Sequence, residues 1–246
     1  YPWNMTLGAV KNKQLIVQFG KRLGIHCKRM GIHINFAPVV DINTNPENPI
    51  IGNRSFGENK YNVTSKASAF IVGMQSERVL ANAKHFPGHG DTASDSHKTL
   101  PQLLFDIERL QSVELYPYTK IFDTGLASVM VAHLSVPALE PIPEIPTSIS
   151  YKVITSLLKE QMGFKGLIFT DALNMKGAAN YAKPGAIDLA ALLAGNDMLL
   201  IPEDVGAAVQ KIKRALHTNQ LTMERLEFSV EKILKAKYWA GLHEYR

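Results

Sequence analysis

Short apolar segments alternate along the chain with longer segments of helical periodicity. The five apolar segments are residues 34–42, 81–86, 128–134, 166–171 and 197–201. Each is nearly continuous in apolar residues, a pattern typical of strands that are buried on both faces of a parallel sheet. The segments with helical periodicity are residues 8–30, 61–79, 107–124, 149–162, 185–195, 204–217 and 222–239. The alternation predicts an α/β fold with right-handed crossover connections.

Sequence signals also mark the ends of the helices. Thr222 is placed to cap the N-terminus of the last helix. Glycines that favour helix C-termini follow four helical segments, at Gly31, Gly125, Gly163 and Gly195. On the last helix, apolar residues recur on one face, which we expect to be buried: Leu226, Val230, Ile233 and Leu234.

The length of the chain suggests a barrel, but the number of strands does not complete one. Its 246 residues are close to the about 250 of a single α/β barrel. A barrel of this kind needs eight strands, whereas the apolar pattern supplies five. Either the sheet is open, or three strands lie outside this chain. Apolar residues make up 46% and charged residues 20%, which excludes a disordered or collagen-like chain.

Charge and hydropathy exclude several classes of partner. The net charge of +5 is mild, and no dense Lys/Arg run with interleaved aromatic residues suggests nucleic acid binding. The longest uncharged run, residues 124–139, contains His133 and Pro137. It is shorter than the about 18 apolar residues that a membrane helix needs, so we expect no membrane span. With Cys27 as the single cysteine, neither an internal disulfide nor a cysteine-based zinc site is possible.

Polar residues stand where the predicted strands end. Ligands of parallel α/β proteins bind at the carboxyl ends of the strands. The polar residues at or after these ends are Asp41, Arg54, Lys84, His85, His133 and Asp171. The cations Arg54 and Lys84 are suited to bind substrate hydroxyls or carboxylates, or else to pair with a nearby aspartate.

The segment from Lys84 to His97 is rich in histidine and aspartate. It has three interpretations: a metal site, a polar loop whose histidines make ordinary hydrogen bonds, or a catalytic loop. Asp95 and His97 are two residues apart, and such residues point to the same side of an extended chain. A carboxylate in that position orients an imidazole and raises its basicity, so His97 is a candidate proton donor and acceptor.

Asp171 ends the fourth apolar segment. A carboxylate at the end of a buried parallel strand is suited to act as a nucleophile, a base or a metal ligand. The alternative is an N-cap for the following helix, for which aspartate is also a preferred residue. The pattern alone leaves these interpretations open.

Three segments together resemble a known family. They are AKHFPGHGDTASDSHKTLP (residues 83–101), FAPVVDI with IGNRSFG (residues 36–57) and FTDALNMKGA (residues 169–178). They resemble glycoside hydrolase family 3, most closely its bacterial NagZ-type β-N-acetylhexosaminidases. The Asp-Ser-His at residues 95–97 of the first segment marks this branch. The resemblance implies a TIM-type (β/α)8 barrel, with residues 1–246 as a partial N-terminal-type catalytic domain.

The resemblance also implies roles for six residues. Asp171 would be the nucleophile of a retaining mechanism, His97 the general acid/base, and Asp95 the partner of His97 in a dyad. Arg54, Lys84 and His85 would bind the N-acetylglucosamine ring. No metal and no cofactor are implied. The implied substrates are β-linked N-acetylglucosaminides, including the muropeptides of peptidoglycan recycling.

The sequence departs from the family at its start. Family members have an upstream strand that ends in a DQEGGR-like motif, which binds the sugar and which this chain does not contain. We therefore expect the chain to lack the first strands of the barrel. An upstream signal peptide is not visible, and the cytoplasm is favoured over the periplasm. The alternatives are a non-catalytic carbohydrate-binding fragment, a β-glucosidase-like member with another sugar specificity, and a metal hydrolase.

Overall fold

The computed structural model describes residues 1–92 and 100–243. Their elements form an α/β fold with parallel strand pairing. The described residues divide into two compact units. The first unit contains residues 1–92, 106–130 and 236–243, and the second contains residues 100–105 and 131–235.

The first unit is built on parallel strands with helices beside them. Its helices are α1 (Asn4–Gly8), α2 (Lys13–Arg29), α3 (Lys60–Gln75), α4 (Ile107–Ser112) and α5 (Tyr116–Ile121), with 3-10 turns at Gly52–Arg54 and Phe122–Thr124. Its strands, which neighbour one another in this order, are β1 (Ile34–Asn35), β2 (Leu80–Phe86) and β3 (Ser128–Val131). β1 runs parallel to β2, with Ile34 opposite Leu80. The last residue of β3, Val131, is counted in the second unit.

Glycines allow α2 and α3 to pack closely. A Cβ added at Gly73 would lie 2.0 Å from the Val17 carbonyl oxygen, and one added at Gly20 would lie 2.5 Å from that of Phe70. Real Cβ atoms do not approach backbone oxygens this closely, so larger residues at these positions would force the two helices apart.

The second unit is also α/β. Its elements are a 3-10 turn (Thr147–Ile149), a π-helix (Lys152–Gln161), β4 (Leu167–Thr170), α6 (Lys176–Ala179), α7 (Ala186–Ala194), α8 (Val205–His217) and α9 (Met223–Trp239), the last counted in this unit up to residue 235. Val131 accepts a hydrogen bond from the backbone N–H of Asp171 at 2.8 Å. On its other side, β4 forms a parallel bridge between Phe169 and Met198.

Most of the predicted elements are confirmed, with differences at their ends. The helix predicted at residues 8–30 begins only at Lys13, after the separate short helix α1 has ended at Gly8, and residues 107–124 contain α4, α5 and a 3-10 turn. The strand predicted at 34–42 is regular only over Ile34–Asn35, because Pro38 has no N–H for a regular ladder. The strand predicted at 197–201 is a single bridge at Met198. The four glycines named as helix ends have positive φ.

The predicted buried face of α9 is wrong at two positions. Val230 is 44% exposed and Leu234 is 58% exposed. The helix instead turns polar residues inward: Ser229 is buried, while Arg225 and Lys232 are partly buried. Hydrophobic periodicity cannot identify a face whose inward groups are polar and paired.

The partner of this inward face is Asp197, which is 6% exposed. Its carboxylate accepts hydrogen bonds from the backbone N–H of Ile168 (3.0 Å) and the Ser229 hydroxyl (2.6 Å), and it pairs with the Lys232 ammonium. These contacts give Asp197 a structural role. The predicted N-cap is confirmed as well, since Thr222 Oγ1 accepts from Arg225 N at 3.2 Å.

No helix in the described parts of the chain combines the length and the apolar character needed to cross a membrane.

Candidate active site

A buried carboxylate organises the site residues of the first unit. Asp41 is 2% exposed and lies shortly after β1. Its Oδ2 accepts from Nδ1–H of His85 at 2.7 Å, and both carboxylate oxygens lie 3.2 Å from the His85 backbone N–H. Its Oδ1 also accepts from the backbone N–H of His89 at 2.8 Å. One side chain therefore holds the imidazole of His85 and the backbone at two positions.

The same contacts keep Asp41 ionised. Burial on its own raises the pKa of this carboxyl. The imidazoles of His85 and His89 and the hydrogen bonds from His85 together outweigh burial, so the pKa of Asp41 lies below its usual value. Asp41 acts as an acceptor of hydrogen bonds at neutral pH.

Arg54 lies beside His85. It ends the 3-10 turn Gly52–Arg54, and its Nη1 donates to the Ile50 carbonyl at 3.1 Å. Its Nη2 lies 3.4 Å from Nε2 of His85. A guanidinium has donors only, so this contact is favourable while Nε2 carries no proton, which is the tautomer that Asp41 selects. The structure thus brings together two of the three predicted sugar-binding residues.

Lys84, the third of these residues, precedes His85 in β2. Its backbone N–H donates to the Pro38 carbonyl at 3.2 Å, and its carbonyl accepts from Val40 N–H at 2.8 Å. These bonds attach the end of β2 to the segment that follows β1. Lys84 and His85 therefore belong to the last residues of a strand, where the sequence places them.

Two glycines determine the path of the chain after His85. A Cβ at Gly90 would lie 1.8 Å from the Ile42 carbonyl oxygen, and one at Gly88 would lie 2.7 Å from Cβ of Glu114. Gly88 also has φ +145°, which L side chains rarely adopt. Between them, the His89 carbonyl accepts from the Asn48 amide at 2.8 Å. Close packing thus requires glycine at positions 88 and 90.

An arginine anchors the next residues of this loop. Arg109 Nη2 lies 3.0 Å from Asp91 Oδ2 and 3.0 Å from Glu114 Oε1. Burial raises the pKa of Glu114. This effect is larger than the lowering of the pKa by its backbone hydrogen bond and by Arg109. The stem of the loop is therefore fixed up to residue 92. Asp95 and His97 lie outside the described residues, so the predicted dyad stays a prediction.

In the second unit, Asp171 directly follows β4. Its backbone N–H donates to Val131 O at 2.8 Å, and its Oδ1 accepts from Ala172 N–H at 2.8 Å. The next helix, α6, has Met175 at its N-cap. The interpretation of Asp171 as an N-cap is therefore wrong. Helix capping does not explain why an aspartate stands at this position.

A buried histidine fixes the backbone beside Asp171. His133 is 0% exposed. Its Nε2 donates to the Ala172 carbonyl at 3.0 Å, and its Nδ1 lies 2.7 Å from the Ser148 hydroxyl. Because a carbonyl only accepts, Nε2 carries a proton here. His133 therefore positions the residue that follows Asp171.

Four of the predicted site residues belong to the described chain. Arg54, Lys84 and His85 lie in the first unit, and Asp171 lies in the second. The sequence analysis placed Asp41 and His133 at strand ends without assigning them a role, and it did not single out Arg109. For Asp41 and His133 the available signal is their position at a strand end. Arg109 lies on a helix, and nothing in the local sequence distinguishes it.

The described part of the chain offers no group of ligands for the metal site that was one interpretation of the segment from Lys84 to His97. Within residues 1–92 and 100–243, no three histidine, cysteine or carboxylate side chains are grouped to hold a metal ion. The described histidines of the loop are otherwise engaged: His85 binds Asp41, and Nδ1 of His89 lies 2.6 Å from the Thr92 hydroxyl.

The profile described as "Glycosyl hydrolase family 3 N terminal domain" matches residues 1–236. The chain belongs to glycosyl hydrolase family 3. The resemblance inferred from the three sequence segments is thereby confirmed, and relatives from this family are similar over most of the chain. "Beta-hexosaminidase A" of Pseudoalteromonas piscicida is 34% identical, over 95% of this chain and 43% of its own length. "Beta-hexosaminidase" of Nitrosomonas eutropha is 33% identical, over 82% and 59%.

Solved structures of family 3 proteins have the same fold. A family 3 beta-N-acetylglucosaminidase from Paenibacillus sp. superimposes with a TM-score of 0.94 at 36% identity, over 98% of this chain and 46% of that one. "Beta-glucoside phosphorylase BglX" also gives 0.94, at 26% identity, over 100% and 46%. These similarities confirm the predicted α/β fold of TIM-barrel type. The chain spans about half the length of the first curated relatives that it matches.

Proposed function

We propose that this family 3 domain carries the nucleophile and part of the sugar-binding site of a retaining glycoside hydrolase that releases β-linked N-acetylglucosamine. The observation that carries the proposal is the placement of Asp171. It follows a buried parallel strand and is held through its own N–H and through the backbone of Ala172, and no helix cap explains it. The names of the hexosaminidase relatives support the choice of sugar.

The reaction proceeds in two steps. A carboxylate oxygen of Asp171 attacks the anomeric carbon, and a new ester-like bond forms as the glycosidic C–O bond breaks. His97 gives its proton to the departing oxygen. In the second step, the imidazole of His97 takes a proton from water, the water oxygen attacks the anomeric carbon, and the bond to Asp171 breaks. Two inversions leave the anomeric configuration retained.

An imidazole is suited to both halves of this cycle. Its ordinary pKa of about 6.5 allows it to donate and accept a proton near neutral pH. A carboxylic acid in the same role needs a raised pKa. We assign to Asp95 the orientation of His97, as in other carboxylate–imidazole pairs.

Arg54, Lys84 and His85 bind the N-acetylglucosamine ring in this proposal. Support comes from the 3.4 Å contact between Arg54 and His85 and from the place of Lys84 at the end of the same strand. Asp41 fixes the orientation of His85, whose Nε2 faces Arg54. These donors and acceptors are preorganised, which lowers the entropic cost of sugar binding.

The substrates we propose are N-acetylglucosaminides from peptidoglycan, including muropeptides, processed in the cytoplasm. No metal and no organic cofactor takes part in the proposed steps. A metal hydrolase would instead lose activity with a chelator, which separates the two chemistries.

The test is hydrolysis of a chromogenic N-acetyl-β-glucosaminide by the full-length protein and its Asp171→Asn variant. We expect turnover by the wild type and a loss in kcat of about 10⁴-fold or more in the variant, as for other nucleophile deletions. Asp123→Asn, an exposed aspartate, is the control. Sugar binding by the wild type without turnover would support the carbohydrate-binding alternative, and preference for a β-glucoside would support the β-glucosidase-like one.

A further inference from the structure

The segment of residues 87–90, which follows β2, is held between two buried acidic side chains. On one side, the backbone N–H of His89 donates to Asp41 Oδ1 at 2.8 Å. On the other side, a Cβ added at Gly88 would lie 2.7 Å from Cβ and 2.9 Å from Cγ of Glu114. The segment therefore has no room to shift toward Glu114, and its hydrogen bond to Asp41 is made in a fixed position.

Glu114 is itself held by an arginine of α4. Glu114 is 6% exposed, and its Oε1 accepts from Nη2 of Arg109 at 3.0 Å. The same nitrogen lies 3.0 Å from Oδ2 of Asp91, the residue that follows the segment. A guanidinium presents several donors in a rigid fork, which suits it to join two carboxylates. Arg109 thus ties the side chain behind Gly88 to the residue next along the chain.

Removal of this guanidinium would leave two carboxylates facing each other. A buried carboxylate that has lost its cation is strongly unfavourable. Burial raises the pKa of Glu114, and Asp91 adds to this effect while Arg109 opposes it. Without Arg109, the side chain of Glu114 would either take up a proton or turn toward solvent. In both cases the support behind Gly88 would weaken.

We infer that Arg109 is a positioning residue for sugar binding, which acts on His85 through the segment 87–90 and Asp41. The inference rests on the proposed function, in which His85 binds the N-acetylglucosamine ring. The carboxylate of Asp41 accepts from both the His89 N–H and Nδ1–H of His85, at 2.8 and 2.7 Å. A displacement of the segment therefore reaches the imidazole through one shared side chain. Arg109 itself makes no contact with the sugar in this account.

Steady-state kinetics on a chromogenic N-acetyl-β-glucosaminide, with the full-length wild type and Arg109→Met, test this role. His85 holds the ring in the ground state as well as in the transition state, so its displacement should raise KM about tenfold and change kcat less than about threefold. Arg22→Met, at an exposed arginine of the same unit, should change neither constant. A lower kcat at an unchanged KM, which a smaller folded fraction would produce, would overturn the inference, as would no change at all.

A double-mutant cycle tests the route through Asp41. If Arg109 acts through this carboxylate, the variant that combines Arg109→Met with Asp41→Asn should have a KM within about twofold of the more impaired single variant. Residues that act independently instead multiply their effects on KM. A product of the two single effects would overturn the inferred route.

A conservative variant keeps the test decisive if Arg109→Met does not fold. Glu114→Gln retains the shape of the side chain but loses the charged hydrogen bond, and KM should rise about three- to tenfold. An unchanged KM in this variant would overturn the inference while leaving the proposed function intact. A wild type that neither binds nor hydrolyses the N-acetylglucosaminide would instead refute the proposed function, and this inference with it.

Discussion

At the scale of single residues, buried polar groups position the side chains that the sequence identifies. Asp41 holds His85 through both its ring and its backbone, and His133 holds the carbonyl next to Asp171. Each of these groups is buried and hydrogen-bonded, which is the condition under which a polar side chain is stable in a protein interior. Substitution of Asp41 or His133 therefore changes the geometry of a neighbouring residue and removes no direct contact to the substrate.

Asp41→Asn is the variant that tests this positioning. The carboxamide keeps the shape but loses the charge that holds Nδ1–H of His85, so the imidazole is free to change tautomer. Loss of a charged hydrogen bond is worth about 1.5–3 kcal/mol, and we expect kcat/KM to fall about 10- to 100-fold. Steady-state kinetics of N-acetylglucosaminide hydrolysis measure this.

The pH profile separates positioning from a general loss of stability. If Asp41 positions His85, the acid limb of kcat/KM should move in Asp41→Asn, while Asp123→Asn keeps the wild-type profile. A variant with an unchanged profile and unchanged kcat/KM would show that Asp41 has no part in the site.

At the scale of elements, side chains from neighbouring segments cap the C-terminal end of α7. Thr155 Oγ1 donates to Ala194 O at 2.8 Å, and the Lys159 ammonium donates to Gly195 O. Arg225 donates to Leu192 O and Asn196 O at 3.2 and 2.7 Å. Carbonyls at a helix C-terminus lack partners within the helix and carry partial negative charge, so these cations stabilise the end of α7.

The burial of Lys159 makes stability depend on pH. Burial lowers the pKa of Lys159 to about 8 from 10.5, with Arg225 and Lys232 adding to the effect and Asp197 opposing it. Between these two pH values the unfolded chain binds a proton that the folded protein does not. The free energy of unfolding therefore rises with pH over this interval. Below pH 8 the cost of a charged Lys159 is fully present.

Urea unfolding of the wild type and Lys159→Met at pH 7.5 and pH 10 tests this. We expect the stability of the wild type relative to the variant to increase between these pH values by about 1–2 kcal/mol, a value reduced for partial solvation. Lys165→Met, at an exposed lysine, should show no such change. A difference between wild type and Lys159→Met that is the same at both pH values would contradict the account.

The elements also show what the sequence predicts and what it does not. Apolar segments identify β2 and β4 because these strands are buried on both faces, and periodicity identifies α3, α7 and α8. The orientation of α9 is not predictable from periodicity, since its inward face is set by pairing with Asp197. Such pairing depends on distant residues, which a local pattern cannot reveal.

At the scale of the whole molecule, membership of glycosyl hydrolase family 3 relates the site residues of both units to a single proposed reaction, the hydrolysis of a glycosidic bond. The sequence motifs locate Lys84, His85 and Asp171 at strand ends and Arg54 in the segment between β1 and β2, and the structure adds the groups that hold them. The roles proposed for Asp95 and His97 rest on the motif alone.

An acid/base imidazole leads to a prediction about phosphate. A neutral imidazole repels an incoming anion less than a carboxylate does, so phosphate is able to replace water in the second step. In phosphate buffer we expect N-acetylglucosamine 1-phosphate among the products, at a yield that rises with phosphate concentration. Phosphate-dependent formation is measured by ³¹P NMR, with sulfate of equal ionic strength as the control. Free sugar as the sole product at all phosphate concentrations would disprove it.

The central claim is that Asp171 forms a covalent bond to the sugar. Incubation of the full-length protein with a slow-reacting 5-fluoro derivative of an N-acetylglucosaminide, followed by proteolysis and mass spectrometry, measures it directly. We predict one sugar adduct, on the peptide that contains Asp171, and no adduct in Asp171→Asn. An adduct on a different carboxylate, or turnover with inversion of the anomeric configuration, would contradict the claim.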